Sequence, residues 1–378
     1  MQRVFKTAAE IDSSLRAAGV RAAVATVLAA RAKPYIWLET TPVDDEAEIA
    51  LGATKIGGAP DLPATMPWPW RPPYPDHEER VEETQAGVDL FNSRDMAAQQ
   101  AETLEEFRKQ LPSEEFEVFA AESAKVDYSK YNLDFLVEDA RRTGEPAPLG
   151  FIAQVDLAEV WRTGPVDPDI PHQGRLLFFY DTGHRPGGYK PADITGARLI
   201  HDLTPIDSLK RAIPSAELAA PEQKVRPAHA AASRSHFRAQ RCVLHAGMWP
   251  PHFGSPDWDA CEIKAKAEKT VQNWWYEVTR DGHDHRFGGY PLQLQGDMQT
   301  ECALVSKGLD LGGSTKWNSK AAKRLKPDAP NWLLLMQITS DKRAGMMWGD
   351  VGNLYVWIHR DALRARRFEE ARVILQCC

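Results

Sequence analysis

The chain has 378 residues, 43% of them hydrophobic, with 46 basic and 53 acidic side chains for a net charge of −7. That apolar content supports a substantial core, and the length fits one large duplicated domain or two domains. A negative total with no recognition motif points away from nucleic acid. The apolar stretch 22–30, nine residues long, suits neither a membrane span nor a secretory signal, so a cytoplasmic protein is expected.

In chain order, residues 8–32 read as one amphipathic helix, rich in Ala and Leu and ended by Pro34, after which 35–39 resumes as a strand. Lys55-Ile-Gly-Gly-Ala-Pro60 follows. Residues 76–145 then hold 19 acidic and 8 basic side chains. Leu104, Phe107, Leu111, Phe116 and Phe119 recur there at helical spacing, which predicts an acidic helical insertion with an apolar stripe laid against the main body. Gln154 lies inside an apolar strand, 151–157, and Gly174 opens another, 174–180. The Ala/Pro-rich stretch 213–232 reads as a connection.

Arg286-Phe-Gly-Gly-Tyr-Pro291 repeats the earlier turn, and the same parts follow it in the same order. Gln337 sits in the apolar run 334–340, Gly352 opens the strand 352–358, a helix is expected near 361–368, and 372–376 is a last strand. Two matched Gly-Gly-x-Pro turns, two glutamine strands and two glycine-led strands predict internal duplication. The expected fold is α+β, with mostly antiparallel sheets in two related β-rich halves and peripheral helices. The halves are 35–212, carrying the acidic insertion, and 233–378, with 1–376 forming a single unit. The basic cluster in 307–330 reads as a solvated helix or loop.

Candidate chemistry is sparse. There is no Gly-x-Ser-x-Gly, His-Glu-x-x-His or phosphate loop, so no catalytic residue is assigned and the reading leans away from an enzyme. Five cysteines without a signal argue for reduced thiols, and no cofactor is expected. Cys242, His245, His252 and Cys261 offer four zinc-type ligands in twenty residues, but without paired Cys-x-x-Cys spacing. His283 and His285 alternate on an extended segment, so both imidazoles would point one way, although a polar turn explains the same residues. Gln154 and Gln337, matched between the halves, are expected to clamp the Gly-Gly turns, with ligand binding as their second role. Among twelve tryptophans, Trp68, Trp70, Trp274, Trp275, Trp348 and Trp357 are read chiefly as core, with a sugar or peptide groove as the alternative.

Gly57-Gly-Ala-Pro-Asp-Leu-Pro63 with Trp68-Pro69, the strands 151–157 and 174–179, Phe287-Gly-Gly-Tyr-Pro291, Gln295-Gly-Asp-Met298 and the segment 347–357 together resemble the YwqG-like family of bacterial proteins, a domain of unknown function. The resemblance spans about 35–376 outside the insertion. It implies a compact duplicated α+β fold and brings no catalytic residue. Such proteins can occur beside toxin genes, which implies an immunity-type or other protein-binding role. Two functions therefore stand open. One is a protein-binding module whose acidic insertion takes a basic partner. The other is a small-molecule or saccharide-binding protein or hydrolase, with a cleft between the halves formed by His283, His285, Gln295, Asp297, Gln337, Trp348, Asp350 and Gln154. Oligomeric state is not legible.

Overall fold

The computed structural model describes residues 4–94, 96–124, 133–214, 218, 236–279, 285–312 and 316–377. Two compact units emerge, one comprising 1–72, 147–221 and 233–378, the other 73–146 with 222–232.

The larger unit is built on a ten-stranded antiparallel sheet. Its strands are β1 (Lys33–Pro42), β2 (Lys55–Ile56), β6 (Gly150–Asp156), β7 (Arg175–Tyr180), β8 (Ala197–Asp202), β10 (Gln240–Trp249), β11 (His285–Phe287), β12 (Trp332–Thr339), β13 (Asn353–His359) and β14 (Arg372–Gln376). Two short ladders complete the set, β3 (Asp61–Pro63) with β9 (Leu209–Arg211) and β4 (Trp70–Arg71) with β5 (Ala147–Pro148). Every residue of β12 is buried, as are the first six of β6, which is why both read as continuous apolar runs rather than alternating ones. Core side chains from β1, β2, β6, β7, β12, β13 and β14 join one cluster, including Ile36, Ile56, Ile152, Phe178, Leu335, Val356 and Val373.

The strand order, β14-β13-β12-β11-β1-β10-β2-β6-β7-β8, reads the same from either end once the halves are matched strand for strand. β1 and β10 form the centre and pair with each other. β1 pairs with β11 of the later half and β10 with β2 of the earlier one. The details repeat as well. Lys55 pairs with Gln154 and Arg286 with Gln337. A register shift falls just before each glutamine, at Phe151/Ala153 and at Leu334/Met336.

Both Gly-Gly turns use glycine for the same reason. Gly57, Gly58, Gly288 and Gly289 all have φ between +66° and +73°, a region that side chains resist. Space is short as well: a Cβ on Gly58 would lie 2.3 Å from Glu46 Oε1, and one on Gly289 2.7 Å from Tyr35 Cβ. Each turn is held by its strand, Gly57 N donating to Ile152 O and Gly288 N to Leu335 O.

The N-terminal segment forms two helices rather than the single one expected, α1 (Ala8–Ala17) and α2 (Ala22–Ala30). Gly19 breaks it at φ +84°, an αL position of the kind that closes helices. The smaller unit contains α3 (His77–Asn92), α4 (Met96–Gln110), α5 (Ser113–Ser123) and α6 (Asp134–Arg141). Phe107 and Phe119, from the expected apolar stripe, face each other with ring centroids 4.6 Å apart. Helix α7 (Leu157–Thr163) follows β6, α8 (Ala265–Thr279) lies between β10 and β11, and α9 (Met298–Val305) is buried along its whole length. Most of the connection 213–232 lies outside the described residues.

Candidate functional site

The two glutamines are clamps. Gln154 Oε1 accepts from Asp61 N, and its Nε2 donates to Ala53 O and Asp61 Oδ2. Gln337 Oε1 accepts from Leu292 N. Asp61 and Leu292 each lie six positions after the basic residue of their motif, so one bond is made twice. Around the first turn Lys55, fully buried, reaches Glu46 Oε1 at 3.1 Å and Asp61 Oδ1 at 3.2 Å, and Arg211 reaches Asp61 at 3.0 Å. Burial pushes the Lys55 ammonium below its ordinary value against the pull of Asp61 and Glu46. Burial also acts to raise Asp61, but Lys55, Arg211 and Gln154 outweigh it and hold the carboxyl low. At the second turn Arg286 instead lies over the rings of Tyr35 and Trp249, at 4.5 and 5.3 Å.

The side chains expected to share a cleft do not meet in one place. His283 lies outside the described residues. His285 is buried; its Nδ1 accepts from Thr339 N, which leaves the proton on Nε2, 3.7 Å from Asp341 Oδ2. Burial would raise Asp341, yet His285 and Arg343 hold that carboxyl well below its usual range. Gln295 Nε2 donates to Cys377 O. Asp297 caps α9 through the amides of Gln299 and Thr300, and burial raises its carboxyl. Trp348 is core, edge-on to Tyr180 and Phe237. Asp350 is exposed.

The four zinc-type ligands are also apart. Cys242 and His245 stand three residues apart on β10 and so point to opposite faces. His245 bonds Glu39, and the Cys261 thiol donates to Asp257 O. Among the described residues no group of three His, Cys, Asp or Glu side chains is placed to hold a metal ion.

A cavity of about 490 Å³ opens beside the second glutamine clamp. All its walls come from residues 252–353, so it lies within the second half and not between the halves as expected. Helix α8 gives one wall through Gln272, Trp275, Tyr276 and Thr279, the spacing of a single helical face. The opposite face of the helix is anchored elsewhere, with Trp274 Nε1 donating to Ser14 Oγ of α1. The strands contribute Gln337, Thr339 and Asn353, and the turn contributes Leu292, Gln293 and Leu294.

Three properties define this cavity. Among the described residues no Asp, Glu, Lys or Arg lines it. Buried polar atoms in its wall lack hydrogen-bond partners among the described residues, namely Asn353 Oδ1 and Trp275 Nε1, an unusual cost in a folded protein. Its rim is strained, because Val351 stands at φ +52°, where a β-branched residue is a genuine outlier; such strain concentrates at functional sites.

His252 is the cavity's titratable residue of note. It is 7% exposed and sits edge-on to Trp275. Its Nδ1 lies 2.6 Å from Phe253 O, a carbonyl that can only accept, so Nδ1 carries the proton and Nε2 is a bare acceptor. Burial lowers the imidazole to about 4, against a smaller opposing effect of the Phe253 bond, and the ring is neutral at physiological pH. Sequence reasoning named His252 only as a metal ligand and missed Gln272 and Tyr276. The legible signal was the helical stripe Gln272, Trp275, Tyr276, Thr279.

No helix among the described residues is long and apolar enough to cross a membrane. No curated protein matches the chain. Residues 54–377 match the family model described as Domain of unknown function (DUF1963), which covers most of the sequence including both Gly-Gly turns and the cavity. The chain therefore belongs to the DUF1963 family.

Proposed function

We propose that this protein binds an uncharged small molecule in the cavity beneath α8. The observation that carries the reading is the composition of the described wall: aromatic and aliphatic surface, several side-chain amides, a neutral histidine and no formal charge among the described residues. A volume of about 490 Å³ falls in the roughly 300–1,000 Å³ range of small-molecule sites. An ion entering such a wall would shed its water with no countercharge to replace it. A thermal-shift screen matched for size and differing in charge tests this. Uncharged compounds are expected to raise the melting temperature, and a hit set confined to anions or cations would overturn the assignment.

A second reading concerns the unit 73–146, whose excess of acidic side chains and exposed Leu90, Val118 and Leu136 support a surface for a basic, partly apolar protein partner. An immunity-type role in the bacterial cytoplasm, as in the YwqG-like resemblance, belongs with this reading, and the free thiols of Cys242, Cys261, Cys302 and Cys377 suit a reducing compartment. Co-purification from the native host at 50 mM and 500 mM salt tests it, with a stoichiometric basic partner expected only at the lower salt. We also propose that the two halves descend from one duplicated unit whose first strand is exchanged, a view supported by the symmetric strand order and the repeated glutamine clamp.

A further inference from the structure

We propose that His252 Nε2 selects the ligand of this cavity by accepting a hydroxyl proton, and that the ligand is a neutral saccharide; the inference rests on the cavity-binding reading above. His252 lines the cavity and is more than nine-tenths buried. Its Nδ1 edge is committed to Phe253 O, and Nε2 has no hydrogen-bond partner among the described residues. The edge left for a ligand is thus a pure acceptor. It attracts an O–H or N–H and repels the lone pairs of a carboxylate, ether or ketone.

The rest of the wall narrows the class. Gln272 and Gln293 line the wall with amides whose Nε2 groups already donate, to Glu268 Oε1 and Gln295 O, while Gln337 is spent on the clamp; the amide oxygens of the first two therefore add acceptors that suit a ligand rich in hydroxyl donors. Tyr276, 67% exposed on the rim, offers a ring face for the C–H surface of a sugar. A hydroxyl-rich, uncharged molecule with one apolar face satisfies all of these at once. A purely apolar ligand would leave the Gln272 and Gln293 amide oxygens and the imidazole Nε2 unsolvated. A cationic ligand would also donate to the imidazole, but no carboxylate among the described lining residues replaces its lost water.

The test titrates the full chain with glucose, N-acetylglucosamine and their β-1,4-linked dimers, with phenol and anisole as uncharged aromatic probes, by ligand-observed NMR and tryptophan fluorescence. At least one sugar is expected to bind the native protein. His252→Phe should weaken it about tenfold, the cost of a ligand hydroxyl left unpaired. His252→Gln, which restores an acceptor, should stay within about threefold of the native affinity. Equal sugar affinity in native protein and His252→Phe would overturn the role of His252 while the cavity reading stood. Binding of phenol or anisole without any sugar would overturn the saccharide class alone, and no binding by any probe would overturn both. Should neither His252 variant melt cooperatively, Tyr276→Ala carries the test from an exposed position. Weakened sugar binding there supports the site, and unchanged binding overturns it.

Discussion

Replacing Lys55 by Met should be among the most damaging single changes in this protein. Lys55 and Asp61 are both fully buried, and Glu46 is 21% exposed. The neutral side chain leaves two carboxylates facing one remaining cation, Arg211. Removing one partner of a buried ion pair costs about 3 to 5 kcal/mol. Tryptophan fluorescence in urea is the suitable assay, because no tryptophan lies in 73–146 and the signal reports the larger unit alone. With a slope of about 3 kcal/mol per molar urea, the midpoint should fall by about 1 to 1.7 M. The pH dependence adds a second check. Asp61 is held below its ordinary value in the folded state, so its contribution is present above the unfolded carboxylate range and is lost as pH falls through the depressed value. Without Lys55 the Asp61 carboxyl rises, protonation at low pH relieves the unpaired charge, and the penalty should shrink between pH 7 and pH 4.5. A loss below about 1 kcal/mol at pH 7, or a penalty as large at pH 4.5, would refute the view that this buried triad is held by charge.

Three further outcomes follow from the same physics. His252 is lowered to about 4, so the unfolded chain takes up a proton first as pH falls, and about 3 kcal/mol of stability should be lost between pH 6.5 and pH 4; His252→Gln should flatten that limb of a pH series of urea melts. Glu301, buried in α9 with Oε1 unpartnered, is pushed up to about 8 by burial and then by Asp297 and Asp193. Its stabilising contribution is complete below pH 4.5 and fades as pH rises through 8, so Glu301→Gln should gain about 4 kcal/mol at pH 8 and little at pH 4, read by thermal melts at both values. Gly58→Ala meets both a φ of +72° and a contact at 2.3 Å, whereas Gly19→Ala has φ +84° and open space; the first should cost more than about 3 kcal/mol and the second about 1, measured in one urea series.

The scaffold was legible because its signals are local. A glycine pair at positive φ, a glutamine inside an apolar run and a glycine opening a strand each leave a mark within a few residues, and all reappear as β2, β6, β7, β11, β12 and β13. The pairing of β1 with β11 and of β10 with β2 left none, since β1 is equally apolar beside either neighbour. The cavity was poorly legible for a related reason. Its walls come from 252–253, α8, the 292–294 turn, two strands and Val351, and of these the sequence marks Gln337, His252 and Trp275 for separate reasons, as clamp, metal-type ligand and aromatic, without placing them together. His285 and Trp348 were singled out as polar or aromatic residues near the second turn, but one is spent on Thr339 N and the other on packing Tyr180 and Phe237. Residue type marked them as interesting; burial decided what they do.

The position of the cavity follows from how two similar sheet halves are connected. In the first half β1 reaches β2 through a short link, and that link drops Glu46 onto the Gly-Gly turn, where it bonds Ala59 N and Lys55. The glutamine clamp there is sealed under Asp61. In the second half the link from β10 to β11 is longer and carries α8, which is held away from the clamp by Trp274 packing on Phe5 and Trp249 and bonding Ser14. Among the described residues nothing equivalent to Glu46 lies around Gln337, and the clamp there borders the cavity. A second sealed turn would offer only stability, so a binding role needs such a difference. On the proposed reading, the charged plug marks the structural half and the cavity marks the binding one. Introducing bulk at Thr339, where the cavity floor meets the clamp, should therefore close the second half without unfolding it.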